Sequence, residues 1–141
     1  MKDAALTIDE LTRLRSGLAR VAYARLLGIE LESAERGAVV FRMSARSDLE
    51  QIDRIMHGGA IASLVDTASA FAVLSLLEAG QTTATVDLTI HYLRPVRDDA
   101  QLKAHAHVLR AGRRIVTVSI EVMNEHGELT ATALTTYARK G

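Results

Sequence analysis

The chain has 141 residues and is 48% hydrophobic, a length and composition that suit one domain with its own core. Its 17 Lys and Arg residues balance 17 Asp and Glu residues, and this zero formal net charge argues against non-specific nucleic-acid binding, which depends on excess positive charge. The absence of cysteine excludes disulfides, thiolate nucleophiles and cysteine-based metal sites. The charged N-terminal stretch is not a signal peptide, so we expect a cytoplasmic protein.

The first predicted elements are a helix and two short strands. Apolar residues recur at helical spacing over 8–27, where Thr7 or Asp9 is available as the N-cap and Gly28 follows the last turn. The next segments are two strand-like runs and a polar, irregular loop: Gly28–Ser33, Ala38–Ser44 and 45–56.

The stretch 57–80 predicts a long buried helix. It opens with His57-Gly58-Gly59, and Asp66 is its one charged residue between Gly59 and Glu78. Burying an unpaired charge is costly, so this carboxylate needs a function or a partner. The glycines leave the first backbone N–H groups open to a ligand, where the helix dipole favours negative charge. A carboxylate and an electrophilic helix start are two components of a hydrolytic site. The same carboxylate argues against a membrane span.

Beyond this helix, apolar and polar residues alternate with a period of two, which predicts strands. The four alternating runs are Thr83–Leu93, Gln101–Leu109, Arg114–Met123 and Leu129–Ala138. In the first run, strict alternation puts Val86 and Leu88 on one face and Thr85 on the other. We expect the runs to form a consecutive antiparallel meander, which the two early strands could join.

One curved sheet with an apolar face and one apolar helix predict an α+β protein in which the sheet wraps the helix. A single sheet cannot cover a helix completely. The remaining apolar surface is expected to pack against a second copy of the chain, which predicts at least a dimer.

A sheet around a helix that opens with His57-Gly58-Gly59 and carries Asp66 resembles the hotdog-fold acyl-CoA thioesterases, in particular the PaaI-type and 4-hydroxybenzoyl-CoA thioesterase group. The family pattern also has an Asn or Gln six residues before the histidine, here Gln51. The strand Thr85–Pro95 matches the third-strand pattern of the family, and the resemblance runs over about 26–138. In two departures, Arg54 stands where many members have glycine, and position 51 is Gln rather than Asn.

The resemblance implies a hotdog fold with an additional N-terminal helix, as a single domain 1–141. Its expected segments are an N-terminal helix (1–27), early strands with a loop (28–56), the central helix (57–80) and the meander (82–139). It further implies an acyl-CoA substrate, no cofactor other than the coenzyme A of that substrate, and a homodimer that assembles into a tetramer as a dimer of dimers. No nucleic-acid or membrane partner is expected.

Thioester hydrolysis needs a base or nucleophile and a donor to the developing oxyanion. Asp66 can act as a general base on water or as a nucleophile through an anhydride. The N–H groups of Gly58 and Gly59 can donate to the oxyanion. Eight residues of helix span about 12 Å, so one chain hardly brings both to one carbonyl. A two-fold dimer can place Asp66 of one chain beside the helix start of the other, and the family resemblance implies the same arrangement. The alternative for Asp66 is a hydrogen-bonded interface carboxylate.

Other site residues each have a structural alternative. Gln51 would orient the water or the thioester carbonyl, or is a loop amide. His57 is expected to fix the turn by a hydrogen bond rather than act as a base. Thr85 corresponds to a Ser or Thr that positions water in relatives, or is simply a strand former. Ser69, a small residue facing the acyl group, bonds either the Asp66 carboxylate or a helix carbonyl.

Arginines at the strand ends could bind the phosphates of coenzyme A, with Arg113 and Arg114 before Arg94, or they are solvated surface. His105 and His107 lack an evident third ligand, so we expect no metal site.

Two other functions stay open. The first is a non-catalytic acyl-CoA binder. The second is a hotdog hydratase, which the lack of a histidine soon after Asp66 disfavours. The acyl group could be medium-chain or aromatic.

Overall fold

The computed structural model describes residues 4–97 and 100–141. The helices are α1 (Ile8–Ala19), α2 (Ala22–Leu27) and α3 (Gly58–Leu74), with a 3-10 turn at Ser47–Leu49. The strands are β1 (Glu30–Glu35), β2 (Ala38–Ser44), β3 (Thr82–Tyr92), β4 (Gln101–Ala111), β5 (Ile115–Met123) and β6 (Leu129–Lys140). Residues 1–3 of the predicted first segment and 98–99 of the predicted meander lie outside the described residues.

The predicted N-terminal helix is divided in two. Thr7 caps α1, and it exchanges hydrogen bonds with Glu10 in a capping box. The chain leaves the helical conformation at Val21, which is extended and precedes α2. Gly28 then ends α2 with φ of +73°, a left-handed conformation that suits glycine. Apolar spacing continues through the break, which is why periodicity alone predicts one helix.

The sheet is antiparallel, and its strand order is β1-β2-β4-β5-β6-β3. β4, β5 and β6 form a meander, and the early strands join it through β2. The prediction that β3 begins this meander is wrong, because β3 pairs with β6 at the far edge. Alternation identifies a strand and its apolar face, but it does not identify the neighbouring strand.

A β-bulge in β3 makes the predicted alternation of side chains wrong at Thr85. The register with β6 shifts between Thr85 and Asp87, so that Thr85 pairs with Tyr137 and Leu88 pairs with Thr135. Tyr137 and Thr135 are both fully buried, and the Tyr137 hydroxyl contacts Asp66 of α3. Thr85 therefore lies on the same face as Leu88, and the bulge turns it toward the central helix.

α3 lies against the concave face of the sheet and contacts β2, β3, β4, β5 and β6. Its buried side includes Leu64, Val65 and Phe71, and Phe71 packs its ring against Phe41 at a centroid distance of 5.5 Å. The helix ends at Leu74, six residues before the predicted stop at Gly80. The Ser75 hydroxyl donates to a carbonyl of the last turn and accepts the N–H of Gly37 at 2.7 Å, which ties the helix end to the β1–β2 turn.

One stripe of α3 is not covered by the sheet. The partly exposed residues follow one another at helical spacing and are small or polar apart from the last: Ala62, Ser63, Asp66, Thr67, Ala70 and Leu74. The helix is therefore apolar where it meets the sheet and mixed where it does not. No helix in the described part of the chain has the length and apolar character needed to cross a bilayer.

Candidate active site

Asp66 is held by two hydroxyl groups from β3 and β6. The Thr85 hydroxyl donates to Asp66 Oδ1 at 3.0 Å, and the Tyr137 hydroxyl lies 2.5 Å from the same oxygen. Tyr137 Oη is also 2.8 Å from the backbone oxygen of Asp66. Oδ2 receives no hydrogen bond from the residues that the structure describes. The carboxylate is thus fixed through one oxygen, and the other is available on the uncovered stripe of α3.

Tyr137 belongs to the candidate site through its contact with Asp66, and the sequence interpretation missed it. It is completely buried, and burial together with the hydrogen bond to Asp66 raises the pKa of its hydroxyl above the ordinary tyrosine value. The hydroxyl therefore stays protonated at neutral pH and donates. The available signal was a tyrosine on the inner face of the last strand, because a buried tyrosine hydroxyl requires a partner.

Two further hydroxyls lie in the buried layer between α3 and the sheet. The Ser69 hydroxyl donates to the Val65 carbonyl at 2.8 Å, so its partner is the helix backbone and not the carboxylate. Ser69 is fully buried within the subunit, and its contact with substrate stays a prediction. Thr135 is also fully buried, and its hydroxyl has no hydrogen-bond partner among the described residues.

His57 caps the start of α3, which is the structural role predicted for it. Its Nδ1 accepts the Gly59 N–H at 2.8 Å, which puts the proton of the neutral ring on Nε2. The backbone N–H of His57 donates to the Leu49 carbonyl at 2.7 Å and ties the cap to the preceding loop. The expectation that both glycine N–H groups are open is corrected, because the cap occupies that of Gly59.

Gly58 keeps a free N–H at this helix start. No hydrogen bond from this N–H is found within the described residues. The Tyr92 hydroxyl donates to the Gly58 carbonyl at 2.6 Å, and a Cβ at Gly58 would lie 3.1 Å from the Tyr92 ring. Burial raises the pKa of Tyr92, so this hydroxyl also remains a donor. The close approach of Tyr92 gives a reason for glycine at position 58.

A cavity of about 310 Å³ opens beside this helix start. Gln51, Gly58 and Arg94 line it together with Tyr92. The side-chain oxygen of Gln51 accepts the Asp53 N–H at 2.8 Å and forms a tight turn in the loop. The sequence-predicted residues Gln51, Gly58 and Arg94 thus meet at one place, although they are spread over more than forty positions.

Arg54 has φ of +59° in the loop before α3. This left-handed conformation favours glycine, which many members of the resembled family have at this position. The departure noted in the sequence therefore leaves an arginine in a conformation that costs about 1–2 kcal/mol for a non-glycine residue.

The predicted residues form two groups that do not meet in one subunit. Asp66 and Thr85 lie in the middle of α3 and on β3, whereas Gln51, Gly58 and Arg94 lie at the start of α3. Arg113 and Arg114 lie on the exposed β4–β5 turn, at the end of the sheet where Tyr137 pairs with Val116. The predicted arginines are therefore divided between the two groups.

His105 and His107 project from the outer face of β4, and they are paired in register with Glu121 and Ser119 of β5. This face is the one opposite α3. The described residues contain no group of three or more histidine and acidic side chains placed to hold a metal ion.

Comparisons with known proteins agree with this architecture. The profile described as "Thioesterase superfamily" matches residues 54–131. The chain is similar to the "PaaI protein from the phenylacetic acid degradation operon" of E. coli, with a TM-score of 0.90, 28% identity and 97% of each chain covered. The predicted hotdog fold is confirmed by this likeness.

Named relatives are similar over most of the chain. "Acyl-coenzyme A thioesterase 13" of Homo sapiens is 33% identical over 104 residues, which cover 73% of this chain and 74% of that protein. "Medium/long-chain acyl-CoA thioesterase YigI" of Escherichia coli K12 is 31% identical over 128 residues, which cover 80% of this chain and 82% of that protein.

Proposed function

Because the chain belongs to the thioesterase superfamily and is a thioester hydrolase, we propose that it hydrolyses acyl-CoA thioesters to a carboxylic acid and free coenzyme A, with Asp66 as the reacting carboxylate. The observation that carries this proposal is the arrangement of Asp66, half-buried on α3 with Oδ1 fixed by Thr85 and Tyr137 and Oδ2 unbonded within the described chain. The names of the relatives support the substrate class.

Asp66 has two routes to the same products. As a general base it takes a proton from water, whose oxygen attacks the carbonyl carbon; the C–S bond then breaks, and the thiolate of coenzyme A takes up a proton. As a nucleophile it displaces the thiolate to form an anhydride, which water hydrolyses. In both routes Thr85 and Tyr137 hold the carboxylate oriented while its charge changes.

The oxyanion donor proposed for this reaction is the Gly58 N–H of a second subunit. Within one chain, Gly58 and Asp66 are separated by about 12 Å of helix rise, which is too far for both to contact one carbonyl group. The Gly58 N–H has the positive end of the helix dipole behind it and lies beside the cavity that Gln51 and Arg94 line. A two-fold dimer would complete two such sites.

The exposed edge of β3 supports this dimer. β3 is the terminal strand of the sheet, has eleven residues, and offers a long row of unpaired backbone groups to another strand. Thr85 contacts Asp66, and Tyr92 contacts Gly58. An antiparallel pairing of β3 with its own copy, centred between Leu88 and Thr89, would put Thr85 of one subunit opposite Tyr92 of the other. The tetramer and the cytoplasmic location stay predictions.

Substrate positioning follows from the same dimer. Gln51 and Arg94 would accompany the donor N–H of Gly58, and Arg113 and Arg114 would accompany Asp66. The two groups of arginines would then converge on one coenzyme A from two subunits, where guanidinium groups pair well with phosphate.

Thiol release from a panel of acyl-CoAs tests the proposed function. Since the protein has no cysteine, a thiol reagent reports the product without background from the chain. The wild type is expected to release coenzyme A, and Asp66→Asn, which is nearly isosteric, is expected to lose at least about 100-fold in kcat. Asp87→Asn, on the outer face of β3, is the matched control and should retain activity.

Wild-type protein that binds acyl-CoA but turns over none would contradict the proposal and favour a non-catalytic binder. Full activity of Asp66→Asn would remove Asp66 from the chemistry. An unchanged oligomeric state in the variant, measured by sedimentation, separates a lost catalytic group from a lost interface.

A further inference from the structure

A second cavity, of about 530 Å³, lies between α1 and the C-terminal half of α3. One apolar wall comes from Leu14 and Gly17 of α1 with Val21 after its end, and the other comes from Ala70, Phe71 and Leu74 of α3. It is separate from the cavity beside Gly58, with which it shares no lining residue.

The helix α3, which carries Asp66, and the strand β3, which carries Thr85, both lead to this cavity. Ala70 follows Asp66 by one helical turn on the uncovered stripe of α3, a rise of about 6 Å. Thr83 also lines the cavity and precedes Thr85 by two residues of β3, which span about 7 Å. The near end of the cavity is therefore about one helical turn from Asp66, on the side away from the helix start.

Gly17 is the residue of α1 with the smallest side chain among those that line the cavity. A glycine in a helix costs about 1 kcal/mol relative to alanine, so it needs a reason. Its φ is not positive, and a Cβ there would lie 3.7 Å from Phe71, an ordinary contact. Neither the backbone nor a steric clash requires glycine at this position. The remaining effect of Gly17 is the space it leaves in the cavity wall beside the Phe71 ring.

The outer wall is firmly attached to the rest of the subunit. Arg13 Nη2 donates to the Leu77 carbonyl at 2.9 Å at the far end of the cavity, and Glu10 forms an ion pair with Arg36. α1 lies outside the segment 54–131 that the superfamily profile matches. This wall therefore lies outside the segment that the profile matches, although the similarity to the E. coli PaaI structure, which covers 97% of this chain, extends over it.

Building on the proposed hydrolysis of acyl-CoA, we propose that this cavity holds an unbranched aliphatic acyl chain of medium length, and that Gly17 and Ala70 determine this specificity. The wall runs for about 6 Å along α3 from Ala70 to the helix end at Leu74 and continues into the following turn to Leu77, so it has room for a chain rather than for a short acyl group. Each methylene that enters contributes about 0.8 kcal/mol, or about fourfold in binding. An aromatic acyl group has no further methylenes to bury along the cavity, so it gains no additional binding free energy there.

The test is the ratio of kcat/KM for octanoyl-CoA over butanoyl-CoA, with phenylacetyl- and dodecanoyl-CoA measured alongside. The wild type should prefer octanoyl-CoA over the butanoyl and phenylacetyl thioesters. Gly17→Met extends a side chain from one wall, and Ala70→Leu does so from the other. Either should lower the octanoyl/butanoyl ratio by about tenfold or more, because room for about two methylenes is lost. Ser16→Met, on the exposed side of α1, is the matched control and should leave the ratio unchanged.

Three results would contradict the inference while leaving the proposed function intact. They are a wild type that prefers butanoyl- or phenylacetyl-CoA, equal losses on all thioesters in both cavity variants, and a ratio that Ser16→Met lowers as much as Gly17→Met. Wild-type protein without turnover of any thioester would instead contradict the proposed function. If Gly17→Met does not fold, Ala70→Leu makes the same test from the opposite wall, and the butanoyl rate reports on folding in each variant.

Discussion

At the residue scale, the site depends on how one carboxylate is oriented. Asp66 receives two hydroxyl groups on the same oxygen, and both come from strands rather than from its own helix. Tyr137 is neutral at working pH because burial raises its pKa, so it stabilises the charged carboxylate without adding a charge of its own. Such fixed neutral donors would hold the proposed reacting group ready for attack.

Tyr137→Phe removes one of these donors without changing the ring that packs in the core. A hydrogen bond to a charged group contributes about 1.5–3 kcal/mol, so kcat is expected to fall about 10- to 100-fold. KM should change little, because Tyr137 contacts Asp66 and not the substrate. Steady-state kinetics measure kcat and KM separately. The control is Tyr23→Phe, which removes an exposed hydroxyl of α2 whose partner is Ser63 and not Asp66. A loss confined to KM would contradict the assigned role.

Gly58→Pro tests the N–H at the start of α3. Proline is tolerated at the first position of a helix, and the extended His57 before it is compatible with proline. The substitution removes the proposed oxyanion donor, so kcat should fall about 100- to 1,000-fold. Gly58→Ala adds a similar crowding against Tyr92 but keeps the N–H, so its kcat should fall far less than that of Gly58→Pro. Equal losses in the two variants would assign the effect to crowding.

At the scale of elements, α1 buries Leu14 in the core and is fixed at its start by polar contacts. Glu10 completes the capping box with Thr7 and forms an ion pair with Arg36, which precedes β2. The hydrogen bond from Arg36 is the largest cause that lowers the pKa of Glu10 from 4.5 to about 2. The carboxylate is thus bound in its charged form in the folded protein.

Glu10→Gln keeps the capping box and removes the charge. Because the folded-state pKa is below the unfolded value, the charge stabilises the folded protein above pH 4.5, and this contribution is lost as the pH falls toward about 2. Wild type is therefore expected to have the higher Tm at neutral pH, with the difference shrinking between pH 4.5 and 2. Thermal unfolding against pH measures it, and Asp9→Asn in the same turn is the control. A difference that persists unchanged at pH 2 would contradict this.

At the scale of the whole molecule, one subunit contains both components of the proposed site but keeps them apart. Asp66 lies in the middle of α3, and the free Gly58 N–H lies at its start. The uncovered stripe of α3 and the open edge of β3 provide the surfaces that a second copy would cover. The activity is therefore expected to belong to the assembly and not to the isolated chain.

Mixed dimers test this directly. Asp66→Asn and Gly58→Pro subunits should each be inactive alone. After unfolding and refolding together, half of the dimers are mixed, and each has one intact site, so about a quarter of wild-type activity should return. If both components act within one subunit, every site in a mixed dimer carries a defect and no activity returns. Mixing without refolding is the control for subunit exchange.

The sequence by itself determined the parts of this protein that depend on local pattern. Apolar composition predicted the buried α3, the histidine and glycines predicted its cap, and alternation predicted the strands. The isolated Asp66 in an apolar run was identifiable as a candidate site residue. These features follow from burial and backbone geometry within a few residues of each position.

Tertiary structure decided what depends on contacts between distant residues. β3 pairs with β6 instead of β4, the bulge beside Thr85 turns it toward Asp66, and Tyr137 reaches Asp66 from 71 positions away. Alternation specifies which face of a strand is apolar, but a bulge or a change of neighbour leaves that pattern almost unaltered. The cavity between α1 and α3 likewise exists only after two separate helices pack, which is why Gly17 carried no signal in the sequence.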